Sequence, residues 1–355
     1  MEFGLSEEQT LLQDSVNRFL DAQVPLDRVR AFSEQPDDQN IWLGLTELGI
    51  PGLLIPESAG GVGMGCLDAA LVAESLGNHV TPSTFLGTVV MAPLAIAYAG
   101  ADQDELLAQI ASGQTRVGVA VGDAVAARQD AGVTSADNRL TGKAIFAMDC
   151  PADYYLVADR GQRLFLAAAD AAGLTCQDLP TIDRTRRTAE LTFDATPAQL
   201  LSDDPEVFAR TVDAGRVMLA ADTLGAAQNM LDQAVEYAKQ REQFNRPIAS
   251  FQAVKHMCAE MAAELEPCRA MIWYAGHALD ELPEEARLTA CHAKAHLAEV
   301  GKLVAKTATE VHGGMGFTDL VGLHYWFKRI GFNRQMLGAP ELVREEAARL
   351  QGMVA

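Results

Sequence analysis

From Glu206 to Phe244 the sequence EVFARTVDAGRVMLAADTLGAAQNMLDQAVEYAKQREQF keeps one helical pattern throughout, and nothing else in the chain limits the fold as much. At ~3.6 residues per turn it predicts a helix of about nine or ten turns. Three further helical stretches follow: FQAVKHMCAEMAAELEPCRAMIWYAGHALDEL, LTACHAKAHLAEVGKLVAKTATEVHGG and the shorter GAPELVREEAARLQGM. Long antiparallel helices of this kind cover their apolar faces by forming a four-helix bundle, here expected over residues 205–355.

The chain ahead of this rod divides in two. Residues 1–112 read as a helical domain, with Ser6 placed to cap SEEQTLLQDSVNRFL and a second helix expected over NIWLGLTELGI. CLDAALVAESLGNHV and FLGTVVMAPLAIAYAG are further helices, separated from the second by the glycine-rich IPESAGGVGMG. Near Gly113 the texture becomes short runs rich in Val, Ile, Phe, Tyr and Thr, such as TRVGVAVGD, DYYLVAD and RTAELTFDA. They predict a small antiparallel β domain or barrel over residues 113–204. The fold expected is therefore α+β and multidomain, and 355 residues are enough for two or three cores.

Charge narrows the partners. With 48 carboxylates against 28 Lys and Arg, the net charge is -20. Such a surface repels nucleic-acid phosphate and anionic lipid, so neither is an expected partner. The acidic N-terminus lacks the basic start and apolar run of a signal peptide, and no apolar stretch is long enough to span a membrane. The six cysteines form no CxxC pair and read as buried free thiols in a reducing cytoplasm. His292 and His296 lie four apart, as metal ligands can, but no HExxH accompanies them, so no metal site is expected.

Two segments carry chemistry. Arg241–His256, REQFNRPIASFQAVKH, reads as a helix end near Phe244, a break at Asn245, a block at Pro247 and a new helix. This brings Arg241, Gln243 and free backbone N–H groups together, which suits a diphosphate, although a plain helix hairpin has the same pattern. In Val311–Thr318, VHGGMGFT, three glycines let backbone approach a ligand closely, although a simple helix cap would use them too.

In this order and about sixty residues apart, the two segments resemble the C-terminal FAD-binding elements of the acyl-CoA dehydrogenase family, REQFGxPIxxFQ and a HGGxGF-type loop. LSEEQTLLQDSVNRFL resembles the family's opening helix, and IPESAGGVGMG its P-E-x-x-G-G-x-G signature. The resemblance implies FAD as cofactor and an acyl-CoA as substrate. It places Arg241, Gln243 and Phe244 on the FAD diphosphate and adenosine, and Gly313, Gly314 and Gly316 at the adenine. In the family these elements serve the flavin of the neighbouring subunit. Arg216 matches an arginine near the CoA ester, which implies a substrate contact. Electron-transfer flavoprotein is the implied acceptor.

The other half of the family's site has no counterpart. Where a T-E-P-x-A-G-S-D-like stretch packs on the isoalloxazine, this chain has Val119–Ala126, VAVGDAVA. Where a K-x-W-I-T-N-like strand offers a threonine, it has Ala147, which has no side-chain donor or acceptor. The family removes the substrate's α-proton with a carboxylate at one of two positions. Here those positions are Leu337 and Gly215, while Asp213 and Glu341 nearby read as surface or capping residues. No catalytic residue is expected. The reading is a cytoplasmic, non-catalytic subunit of a heterotetrameric acyl-CoA dehydrogenase, acting in fatty acid or steroid degradation and lending adenosine-side contacts to a catalytic partner's FAD. Its own vacant site is expected to be open and to help fit bulky or steroid side-chain CoA esters. Two alternatives stand beside it: a self-sufficient homo-oligomer with an atypical base, and a flavin-free scaffold that binds CoA esters.

Overall fold

Asp204 caps the long helix by accepting the Glu206 N–H at 2.9 Å, and Pro205 opens it where a missing N–H costs nothing. A computed structural model describes residues 4–354; residues 1–3 and 355, at the ends of the first and last expected domains, lie outside it. The N-terminal layer contains α1 (Glu7–Gln23), α2 (Leu26–Glu34), α3 (Gln39–Glu47), α4 (Cys66–Asn78), a buried π-helical stretch Phe85–Met91 running into α5 (Ala92–Ala99), and α6 (Asp104–Ala111). Ser6 caps α1 reciprocally with Gln9. Helices α2 and α6 were not foreseen, and the second expected helix stops at Glu47 before a 3-10 turn, Ile50–Gly52.

The middle layer holds β1 (Val117–Ala120), the short α7 (Gly122–Val125), β2 (Gly132–Ala136), β3 (Arg139–Met148), β4 (Tyr154–Ala158), β5 (Leu164–Ala168), β6 (Leu174–Asp178), β7 (Thr188–Pro197) and β8 (Gln199–Ser202). The strands run in the order β6-β7-β3-β1-β4-β5-β8, with β2 beside β3. One pair corrects the antiparallel expectation: β1 and β4 are parallel, Val117 facing Tyr154. The sheet has its own small core around Tyr155, Phe165, Leu191 and Phe193, which includes Cys150.

The third layer is α8 (Pro205–Gln240), a two-residue-strand hairpin of β9 (Glu242–Gln243) and β10 (Arg246–Pro247), α9 (Gln252–Glu281), α10 (Pro283–His312), α11 (His324–Gln335) and α12 (Pro340–Leu350). Helices α8, α9, α10 and α12 are the four expected; α11 is a fifth. It carries Arg329, 1% exposed, whose guanidinium binds Asp222 of α8 at 3.0 Å, the Thr185 hydroxyl at 2.8 Å and the Thr81 carbonyl at 3.1 Å. One side chain thus ties all three layers together. The Asp222 carboxyl sits at about 2: burial alone would raise it, and Arg329 and Arg186 more than reverse that. Among the described residues no helix is long and apolar enough to cross a membrane.

Candidate functional site

Helix α8 carries one half of the candidate site near its start and the other at its end. Near the start, Gly215 faces the turn that joins α11 to α12. A Cβ at Gly215 would lie 2.6 Å from Leu337 Cδ1 and 2.9 Å from Met91 Sδ, so only glycine fits there without displacement. Leu337 itself has φ 54° and is buried. Arg216, 2% exposed, spends its donors within the chain: Nε on the Leu337 carbonyl at 3.0 Å, one terminal nitrogen on Asp213 at 3.3 Å and the other on Glu346 at 2.8 Å. That engagement leaves no nitrogen facing a thioester in this conformation.

Asp213 corrects the sequence reading, which placed it on the surface or at a cap. It is 3% exposed, and its second oxygen accepts from Arg287 at 3.0 Å. Burial raises its carboxyl to about 6, although Arg216 and Arg287 pull it down. Glu341 lies, as expected, in the first turn of α12, exposed and 3.3 Å from Arg334. Lys294, buried on α10, donates to the Asn333 and Arg334 carbonyls and fastens the end of α11; desolvation brings its ammonium down to about 7. The expected open, vacant site is therefore absent here: Met91, Gly215, Arg216 and Leu337 are packed against one another and buried.

The flavin-facing stretch is also closed on itself. Gly122–Val125 forms α7, and the Asp123 carboxylate accepts the Ile145 backbone N–H at 3.0 Å. Arg128 lies over the Phe146 ring at 5.5 Å, and Ala147 is buried in the sheet's core. No group along this stretch replaces the missing threonine and serine hydroxyls. The residues of this stretch do not fit an isoalloxazine.

The far end of α8 is different. The helix ends at Gln240, four residues earlier than the sequence reading placed it, because Arg241 turns extended and starts the hairpin. Phe244 and Asn245 make its two-residue turn with φ 54° and 61°. This is the pair of left-handed positions that such hairpins need; Asn tolerates them and Phe does not. Phe244 is 86% exposed, touching Phe251 edge-on with centroids 6.0 Å apart. Arg241 and Gln243 are exposed, and Arg241 makes no ion pair among the described residues.

The glycine loop lies at the same end of the bundle. Tyr237, one turn before Arg241, stacks on His312 with ring centroids 4.6 Å apart, and His312 directly precedes Gly313. This contact, between residues 75 positions apart, had no signal in the sequence. Gly313 (φ 58°) and Gly314 have nothing within 4 Å of an added Cβ, so both leave open backbone. Gly316 is glycine for another reason: a Cβ there would meet the Thr309 carbonyl at 2.8 Å. An exposed guanidinium, an exposed aromatic and open glycine backbone fit a diphosphate and an adenine.

His292 and His296 are exposed on α10. Among the described residues, Asp213, Cys291 and Glu346 cluster tightly enough for an ion, but the Arg216 guanidinium already contacts all three.

Comparison with known proteins identifies the family. The acyl-CoA dehydrogenase N-terminal domain profile matches residues 6–114, and the C-terminal domain profile residues 206–351. Acyl-CoA dehydrogenase IpdE2 of Mycolicibacterium smegmatis is 32% identical over 353 residues, covering 99% of this chain and 100% of that protein. The chain belongs to the acyl-CoA dehydrogenase family. Among solved members, the Tcur3481–Tcur3483 steroid ACAD superposes with TM-score 0.90 at 31% identity, over 98% of each chain. The ChsE4–ChsE5 complex of Mycobacterium tuberculosis gives 0.88 at 27% identity, over 100% of both.

Proposed function

We propose that this acyl-CoA dehydrogenase is a non-catalytic subunit of a heteromeric enzyme, where it lends its bundle end to the FAD of a catalytic partner. The observation that carries the reading is the asymmetry along α8. The groups that by resemblance serve a neighbour's flavin, Arg241, Gln243, Phe244, Gly313 and Gly314, stand exposed; Gln243 Nε2 donates to the adjacent Glu242 carbonyl at 2.8 Å and Phe244 touches the edge of Phe251, both within the same short segment. Those that would serve this chain's own flavin and substrate are buried or self-bonded. A neutral drift of unused residues would not sort by which subunit benefits. Two solved relatives bear names that join two components, and one is called a steroid dehydrogenase, which supports a heteromer acting on a bulky CoA ester. In such an enzyme the FAD supplies hydride acceptance, and this chain's part is to hold the diphosphate and adenine. Arg216 then closes a retired pocket and does not contact the ester. Electron-transfer flavoprotein as acceptor and a cytoplasmic location belong to the same reading.

Flavin stoichiometry tests it. Purified alone, the chain should carry little flavin; co-purified with its catalytic partner, it should give one FAD per two chains. One tightly bound FAD per chain in a homo-oligomer would overturn the reading.

A second reading rests on Asp213, whose raised carboxyl is the kind of group a proton abstraction needs. In that case the chain is a self-sufficient dehydrogenase with an atypical base. Against it, both Asp213 oxygens are held by guanidinium groups, and the cleft of about 310 Å³ beside it is walled by Glu206, Arg210 and Arg287. Asp213→Asn decides between them: turnover of the assembled enzyme should persist, and its loss with flavin content intact would favour the second reading.

A further inference from the structure

We propose that Tyr237 and His312 are positioning residues: their stacked rings hold the Gly313–Gly314 backbone in register with Arg241, so that the diphosphate clamp and the adenine cradle act as one site. The inference rests on the proposed lending of this bundle end to a partner's FAD, and it names what sets the geometry of that end.

Tyr237 belongs to both halves. It lies on the last turn of α8, where its backbone carbonyl accepts the Arg241 N–H at 2.8 Å and so fixes the point at which Arg241 leaves the helix. Its ring lies on the His312 ring, with centroids 4.6 Å apart and planes 25° apart. His312 is the last residue of α10, and Gly313 follows with φ 58° and ψ -138°, a backbone that glycine alone adopts readily. A ring held at His312 therefore sets the direction in which Gly313 and Gly314 leave the bundle.

The His312 ring has little freedom. It is 3% exposed, and its Nδ1 lies 2.8 Å from the Ala308 carbonyl. A carbonyl only accepts, so the proton sits on Nδ1. Burial holds the imidazole below its ordinary pKa, although the Ala308 bond opposes this, so it meets Tyr237 as a neutral aromatic ring and not as a cation. Beyond it the loop folds back on α10. A Cβ at Gly316 would lie 2.8 Å from the Thr309 carbonyl and 3.1 Å from His312 Cβ, and the Thr309 hydroxyl donates to the Ala305 carbonyl at 2.8 Å. Each half is thus fixed within itself. Among the described residues no hydrogen bond joins the hairpin to the glycine loop, and the ring stack ties one to the other.

FAD binding by the co-purified two-subunit enzyme tests this, and hydrogen exchange of the isolated chain gives a readout that needs no flavin. Tyr237→Leu and His312→Leu should each raise the FAD dissociation constant by about tenfold, the upper end of what a stacked pair contributes. The double variant should bind no more weakly than either single one, because both remove the same contact. Tyr237→Phe keeps the ring and should bind FAD as the unaltered chain does. In the isolated chain, Tyr237→Leu should speed amide exchange over residues 311–317 and leave the β domain as it was. The inference fails, and the proposed function survives, if Arg241→Ala weakens FAD binding while Tyr237→Leu keeps it within about twofold. Additive single effects, an equal loss in Tyr237→Phe, or unaltered exchange over residues 311–317 would overturn it as well. If neither Arg241→Ala nor Tyr237→Leu changes FAD binding, the lending of this bundle end falls and the inference falls with it.

Discussion

The two ends of α8 place an arginine in opposite situations. The Arg216 side chain is buried, meets Leu337, Asp213, Glu346 and Cys291 and holds a turn closed; the Arg241 side chain is exposed and makes no hydrogen bond or ion pair among the described residues. The same contrast extends to their neighbours. Leu337, in left-handed backbone, is packed against Gly215, while Phe244, in equally unfavourable backbone, is 86% exposed. Strain repaid by burial belongs to the fold. Strain carried on an exposed aromatic has no return inside this chain, and a bound partner or ligand is where it would be recovered. A residue's type therefore says little about its role here; whether its bonds close within the chain says more.

Arg216→Ala gives the largest expected effect, because it leaves buried Asp213 with Arg287 as its one remaining counter-charge, Glu346 nearby, and the Leu337 carbonyl without its donor. Losing one partner of a buried ion pair costs ~3–5 kcal/mol, and the denaturation midpoint should fall accordingly. A loss of under ~0.5 kcal/mol, as at an ordinary surface site, would mean that the pocket is not closed as described.

Gly215 comes next. Gly215→Ala should cost ~1–3 kcal/mol through overpacking against Leu337 and Met91. Gly215→Glu should create no dehydrogenase turnover, since the flavin-facing hydroxyls are also missing. Any turnover above background from that variant would break the comparison from the closed side.

At the open end the readout changes from stability to flavin. A charge-assisted hydrogen bond contributes ~1.5–3 kcal/mol, so Arg241→Ala should weaken flavin retention in the assembled enzyme by roughly 10–100-fold. Arg241→Lys should fall between, because an ammonium cannot clamp a diphosphate through two parallel bonds. The melting temperature of the isolated chain should stay unchanged. If flavin content were untouched in the alanine variant, Arg241 would leave the site.

Asp213 supplies a pH test. Its folded carboxyl, at about 6, lies above its ordinary value, so the folded state holds the proton more tightly than the unfolded one. The stabilisation this brings is full below pH ~4 and is lost as pH rises through 6. Asp149, fully buried and likewise at about 6, adds to the same window. Asp213→Asn should reduce the stability difference between pH 4.5 and 7 by on the order of 1 kcal/mol. An unaltered difference would assign the whole effect to Asp149.

The smallest effect sharpens the comparison most. Phe244→Gly removes a side chain with little packing and relieves a left-handed position, so it should leave stability unchanged or raise it by up to ~1 kcal/mol. Flavin retention in the assembly should nevertheless drop. Loss of stability without loss of flavin would reverse the assignment.

The order of helical, sheet and helical layers was legible because periodicity is local. The segments of the proposed site could be picked out for the same reason, since REQFNRPI and HGGMGF are contiguous. Asp213 was misread because its burial depends on Arg287, 74 residues away. Helix α11, HYWFKRIGFNRQ, has buried residues on several faces, the charged Arg329 among them, so it shows no clean amphipathic stripe. The parallel β1–β4 pair likewise follows from the path of the intervening chain and leaves no mark on either strand. Cys176 was expected to be buried, and Cys258 too; an edge strand and a half-exposed helix face leave them accessible.

Arg329 has one more consequence. It clamps α8 at Asp222, and Arg241 follows the helix's last residue, Gln240, 19 positions on, roughly 28 Å at 1.5 Å per residue. The helix is thus a lever with its fulcrum in the buried ion network. A one-degree tilt at Asp222 would swing Arg241 by about half an ångström over that arm, enough to misalign a bidentate clamp. The aim of the exposed end is set by charges buried far from it, so those charges are constrained by more than the packing around them.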